Sequence, residues 1–428
     1  MQVLGTRGSQ GRQAMTNTPA AGFSMSQIHS HLCRLALGTI LGILSLQPAQ
    51  AQTYTVLHSF NLLGTDGARP YDGFISDRAG NLYGTTAAGG TNHGGTVFKM
   101  VHTSRGWMLN TLYDFADGSD GASPDVRVTM GADGALYGTN TAGAEFGGGV
   151  IFKLQVPTRA LGEWTETSLY AFAFEQNEYG SPLTFDSAGK LYGAVAHWSG
   201  NDRGAVYQLV RNGDSWILNL IYQFAGGNDG SDPRGSLAID AAGNIYGVTE
   251  DDGRYGNGNV YELSPSGSGW TKTVLHDFQG GNDGLIPFGG LIFDHSGNLL
   301  GSTGSGGPGN GGTVFQLSPQ PGGGWTYSLV YGFPGQSSWG PTGSLTVDQA
   351  GNIYGARNDP GTLGNNGSIF ELTYSDGVWN YINLHSFAGF DDGAEPNGSL
   401  VVDGTGNVYG TAGDGGAYDY GLVFEITP

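Results

Sequence analysis

The chain has 428 residues, 79 of them glycine, a formal net charge of −20 and a single cysteine. Aromatic residues make up 11% of the chain and recur at fixed intervals. A packed fold can bury them, so the composition is not that of a disordered glycine-rich chain. The acidic balance argues against nucleic acid or anionic membranes as partners, and one cysteine cannot supply a disulfide framework.

The first element in chain order is a leader. Leu35 to Leu46 is an apolar run preceded by Arg34 and followed by Ala49-Gln50-Ala51, an A-x-A cleavage pattern. The run is too short to span a bilayer. Residues 1–51 are therefore expected to be a signal-bearing leader cut after Ala51, with Met25 as the true start. Cleavage removes Arg7, Arg12, Arg34 and Cys33 and no acid, moving the formal charge from −20 to −23. The expected location is secreted or periplasmic, with no membrane insertion after cleavage.

From residue 52 onward one frame recurs seven times. It ends on Phe60, Phe115, Phe172, Phe224, Phe278, Phe333 and Phe387. Tyr or His stands two positions before each of these, and Trp eight positions before six of them. Each repeat holds four apolar runs of strand length. In the fourth copy they are 235–240, 244–249, 258–265 and 270–278. They are rich in β-branched and aromatic residues and bounded by Gly, Asn, Asp and Pro. No run has the length or spacing of an amphipathic helix. Four strands per repeat and seven repeats predict an all-β, seven-bladed β-propeller over 52–428, with four antiparallel strands per blade. The region opens on a fourth-type strand, 53–60, and closes on a third-type strand, 421–428. Pairing these two should complete the last blade and cover two open edges.

Two further features repeat. A D-x-x-G-N link joins the first and second strands, starting at Asp77, Asp186, Asp240, Asp294, Asp348 and Asp403, with Gly131 in the second copy. It reads as a tight turn. The second strand carries a glycine in every copy, from Gly84 to Gly410, which implies a bulge or a close backbone approach near the ring centre. His58, His276 and His385 occupy the repeated aromatic position and are expected in the core.

The strings F-x-x-x-x-D-G-x-x-P, D-x-x-G-N-L-Y-G-T-T and G-G-T-V-F-x-L resemble the GloVer tandem repeat of bacterial exported proteins, a choice-of-anchor type repeat. Leu57 to Met100 matches almost throughout, and the resemblance extends over 53–428. It implies an exported or surface-displayed repeat protein and brings no established activity. Members often carry a C-terminal anchoring segment. This chain stops at Pro428 after a strand, so release without an anchor is expected.

Strand alternation places the loops between strands two and three, and the D-G-x-x-P links between blades, on one face. Loops on a rigid scaffold carry binding, so function is expected there. Asp66, Asp120, Asp229, Asp283 and Asp392 of the D-G-x-x-P links are candidate Ca²⁺ ligands, with an Asp-Gly turn as the alternative. The third and sixth copies lose this Asp and carry Tyr179 and Trp339. Phe146, Trp198, Tyr255, Tyr418 and Tyr420 add aromatic faces suited to sugar rings. One loop concentrates Glu250, Asp251, Asp252 and Arg254. No G-x-S-x-G, H-E-x-x-H or G-K-[ST] motif is present. His93 and His197 lie in loops of the same face and could serve a metal or acid–base site. The expected function is a monomeric, non-enzymatic binding module for a glycan or a surface protein. The alternatives are a Ca²⁺-assisted polysaccharide hydrolase or lyase using carboxylates of this face, and a structural scaffold.

Overall fold

The computed structural model describes residues 52–428 except 160–161, 174–179, 199–202, 214, 268, 336–339 and 359–365. The leader, with Met25 and the cleavage position, lies outside the described residues, as do Tyr179 and Trp339.

The repeat folds as its pattern requires. Seven antiparallel sheets follow one another along the chain. In the fourth blade the strands are Ser231–Ile239, Ile245–Asp251, Asn259–Ser266 and Gly269–Asp277. The seventh blade contains Val401–Val402, Val408–Ala412 and Leu422–Thr427, and takes its outer strand, Thr53–Ser59, from the start of the region. The register runs from Thr53 opposite Thr427 to Ser59 opposite Leu422. The closure expected from the phase of the repeat is present. Among the described residues the helical content is three single 3₁₀ turns, at Gly227–Asp229, Gly281–Asp283 and Phe390–Asp392. No helix there is long and apolar enough to cross a membrane.

Phe at the end of each repeat joins one blade to the next. Phe60, Phe115, Phe172, Phe224, Phe278 and Phe333 are wholly buried and Phe387 nearly so. Each packs on the third-strand aromatic of the following blade at 4.9–5.8 Å between ring centroids, from Phe60 on Phe98 to Phe387 on Phe424. Such a pair contributes about 0.5–1.5 kcal/mol beyond the area it buries. The repeated Trp adds a second inter-blade contact, as Trp107 does against Tyr409 at 5.3 Å and Trp325 against Tyr246 at 5.5 Å. The core is accordingly divided into clusters shared between adjacent blades. One joins Phe74, Leu82, Phe98 and Met100 of the first blade to Tyr409 and Val423 of the seventh.

The D-x-x-G-N link is the expected turn. Oδ1 of Asp77 accepts the backbone N–H groups of Ala79 and Asn81, and Oδ2 accepts the Asn81 amide and the Tyr83 hydroxyl. In the second copy Asp133 takes over, accepting from the Ala135 N–H, the Tyr137 hydroxyl and Lys153 Nζ.

The second-strand glycine has a different cause from the one its position suggested. A Cβ on Gly247 would lie 2.3 Å from the Tyr261 hydroxyl, and one on Gly301 would lie 2.5 Å from Phe315 Cζ. These aromatics stand directly opposite the glycines on the third strand. The ring folds over the bare backbone and fills the space. Close backbone approach does occur, but one element earlier. A Cβ on Gly73 would sit 1.9 Å from the Ser399 carbonyl oxygen, and one on Gly235 would sit 2.2 Å from the Gly290 nitrogen. Neighbouring innermost segments meet there backbone to backbone around the axis. In six blades a two-residue strand stands at the innermost position, where the sequence predicts about six residues, while the fourth blade's innermost strand runs Ser231–Ile239.

Candidate functional site

Each D-G-x-x-P link enters from the loop face and feeds its innermost strand toward the axis. The position after the Pro, or its counterpart in the third copy, is Tyr71, Asp125, Gly180, Arg234, Phe288, Thr342 or Asn397. Seven copies thus carry seven different residues, and all seven line one cavity of about 590 Å³. The same cavity takes Asp72, Arg127, Ser344 and Glu395 from the links and Asn358 from the sixth blade's loop between strands two and three.

Two positions deeper, Arg127 crosses between blades. Its guanidinium donates to Asp72 of the first blade at 3.3 Å, Ser399 of the seventh at 2.8 Å and Ser236 of the fourth at 2.6 Å. Its backbone N–H also donates to Asp72. Ser236 is hydrogen-bonded to Ser344 of the sixth blade at 3.0 Å. The equivalent positions in the other blades hold Gly, Ser or Pro, so this single long side chain is free to tie opposite sides of the ring together.

Nearer the mouth the charges are uneven. Arg234 is ion-paired with Glu250, and its guanidinium lies 5.2 Å from the Phe288 ring centroid. Burial, together with the neighbouring Asp251 and Asp232 carboxylates and against the opposing pull of Arg234, raises the Glu250 pKa. Asp125 is pushed up to about 7, chiefly by burial and further by Asp72, against one hydrogen bond to its own backbone. Its Oδ1 is out of contact with solvent and has no hydrogen-bond partner among the described residues. Glu395 is raised by burial first and then by Asp414, with Arg69 opposing.

The residues singled out from sequence lie elsewhere on this face. Asp66, Asp120, Asp229, Asp283 and Asp392 each sit in their own link, and each accepts from the Tyr or His two positions before the repeat's Phe. The pairs are His58 to Asp66 at 2.5 Å, Tyr113 to Asp120 at 3.2 Å, Tyr222 to Asp229 at 2.8 Å, His276 to Asp283 at 3.2 Å and His385 to Asp392 at 3.1 Å. Four of them also accept a backbone N–H of the link, from Ala116, Ala225, Gln279 and Ala388. The three histidines are thus half-buried partners of these carboxylates rather than core residues. Burial lowers the pKa of His276 and His385, against the raising effect of the Asp. The five Asp are spread one to a blade. Among the described residues no three His, Cys, Asp or Glu side chains are grouped to hold a metal.

Phe146, Tyr255 and Tyr418 are exposed, while Trp198 and Tyr420 are partly buried. None of the five lines the central cavity. Arg254 places its guanidinium 5.4 Å from the Tyr255 ring centroid, an aromatic–cation pair between two of the predicted ligand residues. His197 lies 3.9 Å from Asp232, and Asp252 accepts from Arg203 at 2.8 Å and Ser231 at 2.8 Å. Sequence reasoning missed the cavity residues. The signal was present: the position after the Pro is the one place in the frame where every copy differs.

These features define a closed seven-bladed repeat propeller with a cavity at the axis of its loop face. The chain belongs to the Gloeobacter/Verrucomicrobia repeat family, whose model matches residues 38–238, 158–335 and 239–428. No curated protein matches it. Among solved structures it is similar to the β-propeller domain of the Trilobed protease from Pyrococcus furiosus, at 8% identity over 85% of this chain and 94% of that one, with a TM-score of 0.49. It is also similar to a candidate 6-phosphogluconolactonase from Bacteroides uniformis, at 15% identity over 76% and 86% with a TM-score of 0.46. A third likeness is to a mutant of AofleA from Arthrobotrys oligospora, at 11% identity over 78% and 91% with a TM-score of 0.45.

Proposed function

We propose that this protein is an exported, non-enzymatic binding module that holds a glycan in its axial cavity. The observation that carries this reading is the convergence of the seven variable positions on one cavity of about 590 Å³. A scaffold alone would gain nothing from varying only the residues that meet at its axis, whereas a binding site is built from such differences. The chemistry also suits a sugar. Tyr71 and Phe288 offer aromatic surface, and Asp125, Glu395, Asn358, Asn397 and Thr342 offer acceptors and donors for hydroxyl groups. Export rests on the apolar leader and its A-x-A site.

The test is a glycan array with purified 52–428, followed by calorimetry on any hit. Tyr71→Ala and Asn397→Ala should weaken binding at least several-fold with little change in melting temperature. Trp198→Ala, outside the cavity, should leave it unchanged. A wild-type protein that binds no glycan would leave a surface protein as the ligand to seek.

One observation favours a second reading, a polysaccharide hydrolase or lyase. Asp125, with its raised pKa, neighbours Asp72, which is ion-paired with Arg127, as a general acid beside a second carboxyl would be. Incubation with chromogenic polysaccharides, with and without a chelator, tests it: turnover lost in Asp125→Asn supports catalysis, and an inert wild type removes it.

A further inference from the structure

We infer that the axial cavity is built for a basic glycan, one whose sugar units carry a free primary ammonium, and that Asp125 is the ammonium's partner. This rests on the reading of the cavity as a glycan site and narrows its ligand class.

The argument starts from where the charges already go. Both arginines of the lining are committed to acids, Arg127 to Asp72 and Arg234 to Glu250. Asp125 and Glu395 remain as lining acids with no lining cation paired to them, and behind Glu395 stands a further carboxylate, Asp414. Arg69 opposes that pair from the rim, where its Nη1 also donates to the Tyr71 hydroxyl at 3.4 Å. The lining therefore holds three carboxyls against two arginines, both of them already paired, and a uronic or sulfated sugar entering it would find no uncommitted cation there.

Asp125 supplies the second, independent observation. A buried carboxyl oxygen with neither solvent nor a hydrogen-bond donor is unfavourable, because its desolvation is not compensated. An ammonium in the cavity, set against this lining carboxyl, supplies the missing positive charge, and charge-assisted hydrogen bonds are roughly twice as strong as neutral ones. Phe288 and Tyr71 line the same cavity and offer aromatic surface to the apolar face of a sugar ring.

The experiment compares three oligosaccharides of equal length and β-1,4 linkage at pH 6.5: fully deacetylated glucosamine hexamer, its N-acetylated counterpart and cellohexaose. The expected result is roughly tenfold tighter binding of the glucosamine hexamer, the scale of one charge-assisted hydrogen bond. In Asp125→Asn that preference should disappear while the binding of cellohexaose is retained. Arg254→Ala, on a peripheral loop, should keep the preference, and a melting curve establishes that each variant is folded. Equal or weaker binding of the glucosamine hexamer by the wild type overturns the inference and leaves the glycan reading standing. Binding of none of the three, in a protein that also gives no hit on the array, removes both. A preference that survives in a folded Asp125→Asn protein overturns the role of Asp125.

Discussion

Removing residues 53–60 should abolish cooperative folding, and the magnitude can be worked from the closing blade. Phe60 is wholly buried against Phe98, and deleting a buried Phe side chain costs about 3–5 kcal/mol. The strand Thr53–Ser59 pairs along the whole of Leu422–Thr427, and the Phe60 N–H adds a bond to the Gly421 carbonyl at 2.9 Å. Each such bond is worth about 0.5–1.5 kcal/mol net. Tyr54 stacks on His385 at 3.8 Å and its hydroxyl donates to the Asp392 carbonyl at 2.7 Å, so the sixth blade is released as well. The total is on the order of 10 kcal/mol, comparable with the entire stability of a typical domain. The last strand, with Leu422, Val423, Phe424 and Ile426 buried, would become an open edge prone to pair with other chains. Calorimetry and circular dichroism on chains 52–428 and 61–428 provide the assay, with Phe224→Ala as a control at an interior boundary. The control should melt earlier but in one transition, and the shortened chain should show no single transition. A shortened chain that melts cooperatively within a few degrees of the full one would falsify the closure argument.

Other outcomes follow from the same contacts. Gly301→Ala places a methyl group 2.5 Å from Phe315 Cζ and should destabilise by about 1–3 kcal/mol in thermal unfolding, with Phe315→Leu in the same chain restoring part of the loss. Arg127→Met leaves the largely buried Asp72 without its cation and should lower stability by about 3–5 kcal/mol, whereas the double variant with Asp72→Asn should recover much of it; an unchanged denaturation midpoint for Arg127→Met would remove the strut. Asp125 has its folded pKa raised from 3.8 to about 7, so its carboxyl favours the folded state below pH 4 and that contribution is lost as pH rises toward 7. Asp125→Asn should therefore match the wild type at pH 4 and exceed it at pH 8 by up to about 4 kcal/mol, measured by urea titration at both values. Equal stabilities at pH 8 would show that burying this charge carries no penalty. Together with its predicted loss of ammonium preference, this would make Asp125 a residue that trades stability for binding.

Much of the architecture was legible because it is local and repeated. Four strand-length runs between turn residues define a blade, and the order in which strand types begin and end the region implies the closure of 53–60 on 421–428. The D-x-x-G-N turn was equally readable, since an Asp that bonds its own backbone needs no distant partner. Residues whose partners lie in another element were read less well. The second-strand glycine requires Phe or Tyr from the strand opposite, and His58, His276 and His385 are set by an Asp seven or eight residues onward, in the link to the next blade.

The cavity shows the same division. The sequence alone determined the seven-fold frame and which face bears the long links, because periodicity and turn chemistry act over a few residues. Its variable position after the Pro was visible as a list of seven unlike residues, but nothing in a linear chain says that seven sites about 54 residues apart share one space. Only ring closure brings Tyr71, Asp125, Arg234, Phe288 and Asn397 to the axis, commits Arg127 to Asp72 and Arg234 to Glu250, and leaves one oxygen of Asp125 buried and unpaired among the described residues. Burial and charge pairing are properties of three-dimensional neighbourhood, and the tertiary structure is where they are decided.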